Sequence, residues 1–80
     1  MEIDTLMQIV ATRQRARDGT ARAIRQRAGV TLAEMARTVG VTESTMSRWE
    51  SGQRNPRGEA ALRWMEALAE LERATTGAAA

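Results

Sequence analysis

The sequence predicts an all-α fold of five helices. Apolar residues recur at three- and four-residue intervals along most of the chain, and no stretch alternates as a strand would. Start and stop signals, Asp or Thr before a periodic run and Gly after it, divide the chain at matching intervals. Eighty residues allow one small domain, which buries only about 60% of its unfolded surface and so has a thin core. The expected organisation is a domain over 1–74, with helices at about 4–17, 20–28, 32–39, 43–51 and 57–73, followed by a flexible tail at 75–80.

In the first helix Ile3, Leu6, Met7 and Val10 stand at i, i+3, i+4 and i+7, one helical face expected to pack on the core. Asp4 can cap it, and Asp18-Gly19 ends it. Ile9 lies off this stripe, and Thr12–Arg17 is polar on every side. The second helix turns Ala21, Ile24 and Ala28 inward, carries Arg22, Arg25 and Arg27, and stops at Gly29.

Residues 29–52, GVTLAEMARTVGVTESTMSRWESG, are the centre of the chain. Thr31 and Glu34 have capping-box spacing, in which the hydroxyl takes one free helix N–H and the carboxylate reaches back to another. Gly40 suits the left-handed residue that closes a helix. Val41 turns inward. Thr42 caps the next helix, with Glu43 in its first turn where the dipole favours an acid. Ser51-Gly52 stops it. Two short helices around a turn with Gly carry the signature of a helix-turn-helix. Its inward positions are Val30, Leu32, Met35, Ala36, Val39, Val41, Met46 and Trp49.

After a polar loop at 52–55, Pro56 or its neighbour can open a helix. The last helix presents Ala61, Leu62, Met65, Leu68 and Leu71 on one face, with Trp64 and Ala69 beside it. Glu66, Glu70 and Glu72 face water. Thr75–Ala80 lacks periodicity and is expected to fray. Its end, Ala78-Ala79-Ala80, also resembles the small apolar tags that bacterial ATP-dependent proteases recognise.

Composition excludes several chemistries. There is no cysteine and no histidine, so disulfides, thiolate or imidazole zinc sites and His-based acid–base catalysis are out of reach. No nucleophile–base constellation exists, and no enzyme, metal or cofactor is expected. No apolar run approaches the roughly 20 residues that span a bilayer, and no signal peptide is evident. A soluble intracellular protein, not associated with a membrane, is expected.

Every basic residue is arginine, and these are bidentate forks suited to phosphate and guanine. Residues 13–63 hold eleven arginines and five acids, a net +6, while 1–12 and 64–80 each carry −2. A basic centre between acidic ends fits a polyanionic partner and fits a solvated arginine surface equally well.

The runs Ile24–Thr31, Ala33–Ala36, Val39–Thr42 and Ser44–Glu50, with Gly52 and Arg54-Asn55-Pro56, resemble the Cro/phage-repressor (Xre-type) helix-turn-helix family. The resemblance covers about residues 20–68 and leaves the N-terminal helix outside. It implies a compact all-α domain of the phage repressor/Cro type, with an additional N-terminal helix. It also implies a double-stranded DNA partner, a homodimer at least on DNA, and a palindromic operator with two recognition helices about 34 Å apart.

Carried over by position, the resemblance implies base contacts from Glu43, Ser44, Ser47 and Arg48. Arg48 can grip guanine with two N–H bonds or hold a phosphate. Glu43 can accept from cytosine or simply serve the helix dipole. Phosphate contacts are implied for Thr31, Leu32, Arg37, Thr42, Thr45, Gln53, Arg54 and Arg57. Many relatives carry Gln where this chain has Leu32, so position 32 offers its backbone N–H and no polar side chain. Arg25 and Glu50 are implied to form a partly buried structural ion pair, which removes Arg25 from the DNA contacts. The implied function is a sequence-specific transcription regulator, Cro-like or a repressor, of a phage or its host. Alternatives are the antitoxin of a toxin–antitoxin pair and a protein-interaction module that does not read DNA. The dimer face is open between Leu6 and Val10 on the first helix and Trp64, Leu68 and Leu71 on the last.

Overall fold

A computed structural model describes residues 1–78. It is all-helical there: α1 (Ile3–Arg17), α2 (Thr20–Arg27), α3 (Leu32–Val39), α4 (Glu43–Glu50) and α5 (Gly58–Ala78). α2 and α4 each end one residue before the expected boundary. One core cluster joins Ala16, Ala21, Ile24, Met35, Ala36, Val39, Met46, Trp49, Trp64 and Leu68. Val30, Leu32, Val41 and Leu71 pack against it from partly exposed positions. Its centre is the Trp49–Trp64 pair, with ring centroids 5.4 Å apart and planes tilted by 39°, a favourable arrangement for aromatic quadrupoles. The Trp64 indole N–H finds no hydrogen-bond partner among the described residues.

The helix-turn-helix forms as its caps dictate. Thr31 Oγ1 accepts from the Glu34 N–H at 3.0 Å, and the Glu34 carboxylate accepts from the Thr31 N–H at 2.8 Å. Gly40 takes the left-handed conformation (φ 84°), and its N–H returns to the Ala36 carbonyl at 2.8 Å. Arg63 of α5 reaches across to donate from Nε to the Val39 carbonyl at 2.7 Å, which satisfies one of the acceptors that a helix end leaves open.

Three expectations are corrected. The stripe on α1 is not the packing face: Ile3 and Met7 are 68% and 56% exposed, and Leu6 is exposed as well. The buried residues are Ile9, Thr12 and Ala16, which are also spaced i, i+3, i+7. Thr12 is tolerated inside because its hydroxyl donates to the Gln8 carbonyl at 2.9 Å. The polar half of α1 is thus its anchored half. On α5 the buried face is Ala61, Trp64 and Leu68, while Leu62, Met65 and Ala69 are only half-buried. Finally, α5 continues past 73 to Ala78. No Gly or Pro interrupts 59–76, and the Thr75 hydroxyl donates back to the Leu71 carbonyl at 2.9 Å. The flexible-tail expectation for Ala79 and Ala80, and most of the alanine tag, lie outside the described residues.

Candidate nucleic-acid interface

α4 is short, and its sequence divides it cleanly. Met46, Trp49 and Glu50 are buried, while Glu43, Ser44, Ser47 and Arg48 are exposed. Ser44, Ser47 and Arg48 stand at i, i+3 and i+4, so they share one outward face. Thr42 caps the helix by accepting from the Thr45 N–H at 3.0 Å. The Thr42 hydroxyl in turn donates to Thr45 Oγ1 at 3.0 Å, which leaves the Thr45 O–H free to donate outward.

The far end of α4 is fixed from below. Glu50 is 3% exposed. Its carboxylate accepts from Arg25 at two points, Nε–Oε2 2.6 Å and Nη2–Oε1 3.0 Å. Arg22 approaches from a third direction, Nε–Oε1 3.4 Å. Arg25 also donates from Nη1 to the Val30 carbonyl at 2.9 Å. One guanidinium therefore ties α2, the start of the helix-turn-helix and the end of α4 together. The sequence indicated the Arg25–Glu50 pair and missed Arg22, which lies one turn before Arg25 on α2.

Beyond α4 the chain folds back on itself. Gly52 adopts φ 77°, and the N–H groups of Gln53 and Arg54 both donate to the Arg48 carbonyl, at 2.9 and 3.2 Å. Pro56 is buried. α1 braces this loop: Arg13 Nε donates to the Pro56 carbonyl at 3.0 Å, and Arg17 Nη2 donates to Asn55 Oδ1 at 3.2 Å. Between α1, α4 and the loop lies a hollow of about 570 Å³, lined by Arg13, Thr45, Arg48, Trp49, Arg54, Asn55 and Arg57. Four of those residues are arginines and none is acidic.

Of the residues expected at phosphate, Thr45, Arg54 and Arg57 are brought to this hollow, together with Arg48. Gln53 is exposed on the adjoining loop. Leu32 and Arg37 of α3 and its cap Thr31 do not line it. Leu32 packs its side chain against the core, so only its backbone faces the question of a phosphate. The Thr31 N–H, with its hydroxyl second, holds the Glu34 carboxyl below the ordinary carboxylate range. Arg13 and Asn55 were not expected here. Arg13 continues the buried Ile9–Thr12–Ala16 face by helical spacing, but the apolar stripe of α1 hides that signal.

Compared with known protein families, residues 19–78 match the family described as a helix-turn-helix domain. The chain belongs to this helix-turn-helix family, of the Xre/Cro type. The match takes in α2 to α5 and leaves α1 outside. No curated protein and no solved structure matches the chain significantly. The helix-turn-helix domain makes the protein a DNA-binding regulator in general terms. Among the described residues, no helix is long and apolar enough to cross a membrane.

Proposed function

We propose that this helix-turn-helix protein is a sequence-specific transcription regulator, Cro-like or a small repressor, of a phage or its bacterial host. It acts in the cytoplasm by laying α4 in the major groove of an operator. The observation that carries this reading is the composition of the α4 surface. Ser44, Ser47 and Arg48 form a polar, exposed face on a helix capped at one end and anchored through Glu50 at the other. Hydroxyls and a guanidinium on a rigid helix are suited to base edges. Glu43 stands at the groove-facing start of the helix. Thr31, Arg37, Thr42, Thr45, Gln53, Arg54, Arg57 and the Leu32 N–H are assigned to the flanking phosphates.

The regulator works as a homodimer on a palindromic operator. Trp64 and Leu68 are buried in the protein's own core and are not available to a partner. The exposed apolar residues Ile3, Leu6 and Met7 of α1 are, and an uncovered apolar face of this kind marks an interaction surface. We assign it to a second copy. Two copies related by a two-fold axis can bury this stripe against itself, the self-complementarity that such a contact requires. Binding-site selection from random duplex DNA, followed by footprinting, tests the function. A symmetric, salt-sensitive consensus supports it, and recovery of no preferred sequence overturns it.

A further inference from the structure

We propose that the hollow between α1, α4 and the loop at 52–57 holds a phosphate of the DNA backbone, and that Arg13, from the helix outside the family match, is one of its ligands. This rests on the DNA-binding reading above and adds α1 to the contact surface.

The hollow gathers Arg13, Arg48, Arg54 and Arg57 with no acid among its lining residues. Elsewhere on the chain Arg15, Arg22, Arg25, Arg63 and Arg73 each have a carboxylate partner, while Arg17, Arg27 and Arg37 stand apart from the hollow without one among the described residues. None of the four in the hollow has one among the described residues. Four cations around one shared space repel each other until an anion enters it.

Arg13 is also already aimed. Its Nε is held by the Pro56 carbonyl at 3.0 Å, while its two Nη groups make no hydrogen bond within the described chain. A guanidinium fixed at one edge, with its other donors free, loses little freedom on taking a phosphate oxygen. The free Thr45 O–H adds a neutral donor from the α4 side. Because Arg48 and Thr45 belong to the helix assigned to the major groove, the strand bordering that groove is the polyanion that passes the hollow.

The test uses fluorescence anisotropy of the full chain with a labelled random-sequence duplex over a series of salt concentrations. R13Q drops the charge and leaves a shorter, polar side chain. It is expected to weaken binding several-fold and to lower the log–log salt slope by about one. R13K keeps the charge and loses the Nε hydrogen bond to the Pro56 carbonyl, and it is expected to retain the slope. If R13Q binds with the wild-type slope, Arg13 holds no phosphate; a loss of affinity in both variants with unchanged slope assigns Arg13 to bracing Pro56 alone. Either result overturns the proposal. If wild type binds no duplex at all, the DNA-binding reading itself fails. Inorganic phosphate at constant ionic strength is expected to compete only weakly; tight binding of it would assign the hollow to a free anion instead. Should R13Q fail to fold, the Arg13 side-chain resonances of wild type must shift on titration with the duplex, and unmoved resonances overturn the assignment.

Discussion

Arg25 grips Glu50 with two parallel contacts, Nε–Oε2 at 2.6 Å and Nη2–Oε1 at 3.0 Å, beneath the helix that carries the exposed Ser44, Ser47 and Arg48. The pair sits where solvent cannot compensate the loss of either member. Glu50→Ala is expected to destabilise the protein by about 3 kcal/mol, since it leaves a partly buried guanidinium without its carboxylate. That is a large share of the total for a chain this short, roughly 4–12 kcal/mol. The double variant Arg25→Met with Glu50→Leu is expected to lose less than Glu50→Ala alone. Urea unfolding of the three proteins checks the order.

Arg48 is exposed, and its loss leaves the core intact. Arg48→Ala is expected to keep the helical circular-dichroism spectrum and the unfolding midpoint. Its preference for a selected operator over random duplex should fall by about 1–3 kcal/mol if the guanidinium reads a base. Equal weakening on both duplexes would identify Arg48 as a phosphate ligand of the hollow instead.

The exposed stripe on α1 predicts self-association. Leu6→Glu together with Met7→Glu places carboxylates where a second copy would bury methyl groups. Sedimentation equilibrium should show a concentration-dependent dimer for wild type and a monomer for the variant, with an unchanged helical circular-dichroism spectrum. A wild type that stays monomeric at high concentration, with and without operator, removes the stripe from the dimer contact.

Acid should weaken the fold in part through the cap of α3. The Glu34 carboxyl is held below its ordinary value of 4.5 first by the Thr31 N–H and then by its hydroxyl. Asp18 is held below 3.8 by the Thr20 hydroxyl and N–H. A depressed folded-state value means that the unfolded chain binds more protons in this window, so stability rises with pH. The contribution is complete above the ordinary values and disappears as pH falls through the folded ones. Glu34→Gln is expected to lower stability modestly at neutral pH, where the contribution is complete, and to flatten the loss of stability below about pH 5. An identical acid limb in chemical denaturation would sink this account.

Much of the helix-turn-helix was legible because its signals are local. Thr31, Glu34, Gly40 and Thr42 each act within four residues, and the structure realises each cap where the spacing puts it. The Arg25–Glu50 pair came from the resemblance and not from periodicity. α1 was misjudged because hydrophobicity alone ranks Ile3, Leu6 and Met7 above Thr12 and Arg13. What anchors the helix is long-range: Ala16 in the core, Arg13 on Pro56 and Arg17 on Asn55, 43 and 38 residues away. No window of sequence contains both partners of such a contact. The basic hollow was hidden for the same reason, since it draws residues from α1, α4 and the loop.

α1 is a continuous rod of 15 residues, roughly 22 Å long. The loop beside α4 is fastened to one end and the stripe assigned to a second copy lies at the other. In such a dimer, backbone hydrogen bonds and no flexible tether set the distance between the two reading heads. The protein would then behave as a caliper of fixed opening. One base pair inserted between the halves of its operator should abolish tight binding, because nothing in the joint can stretch to absorb it.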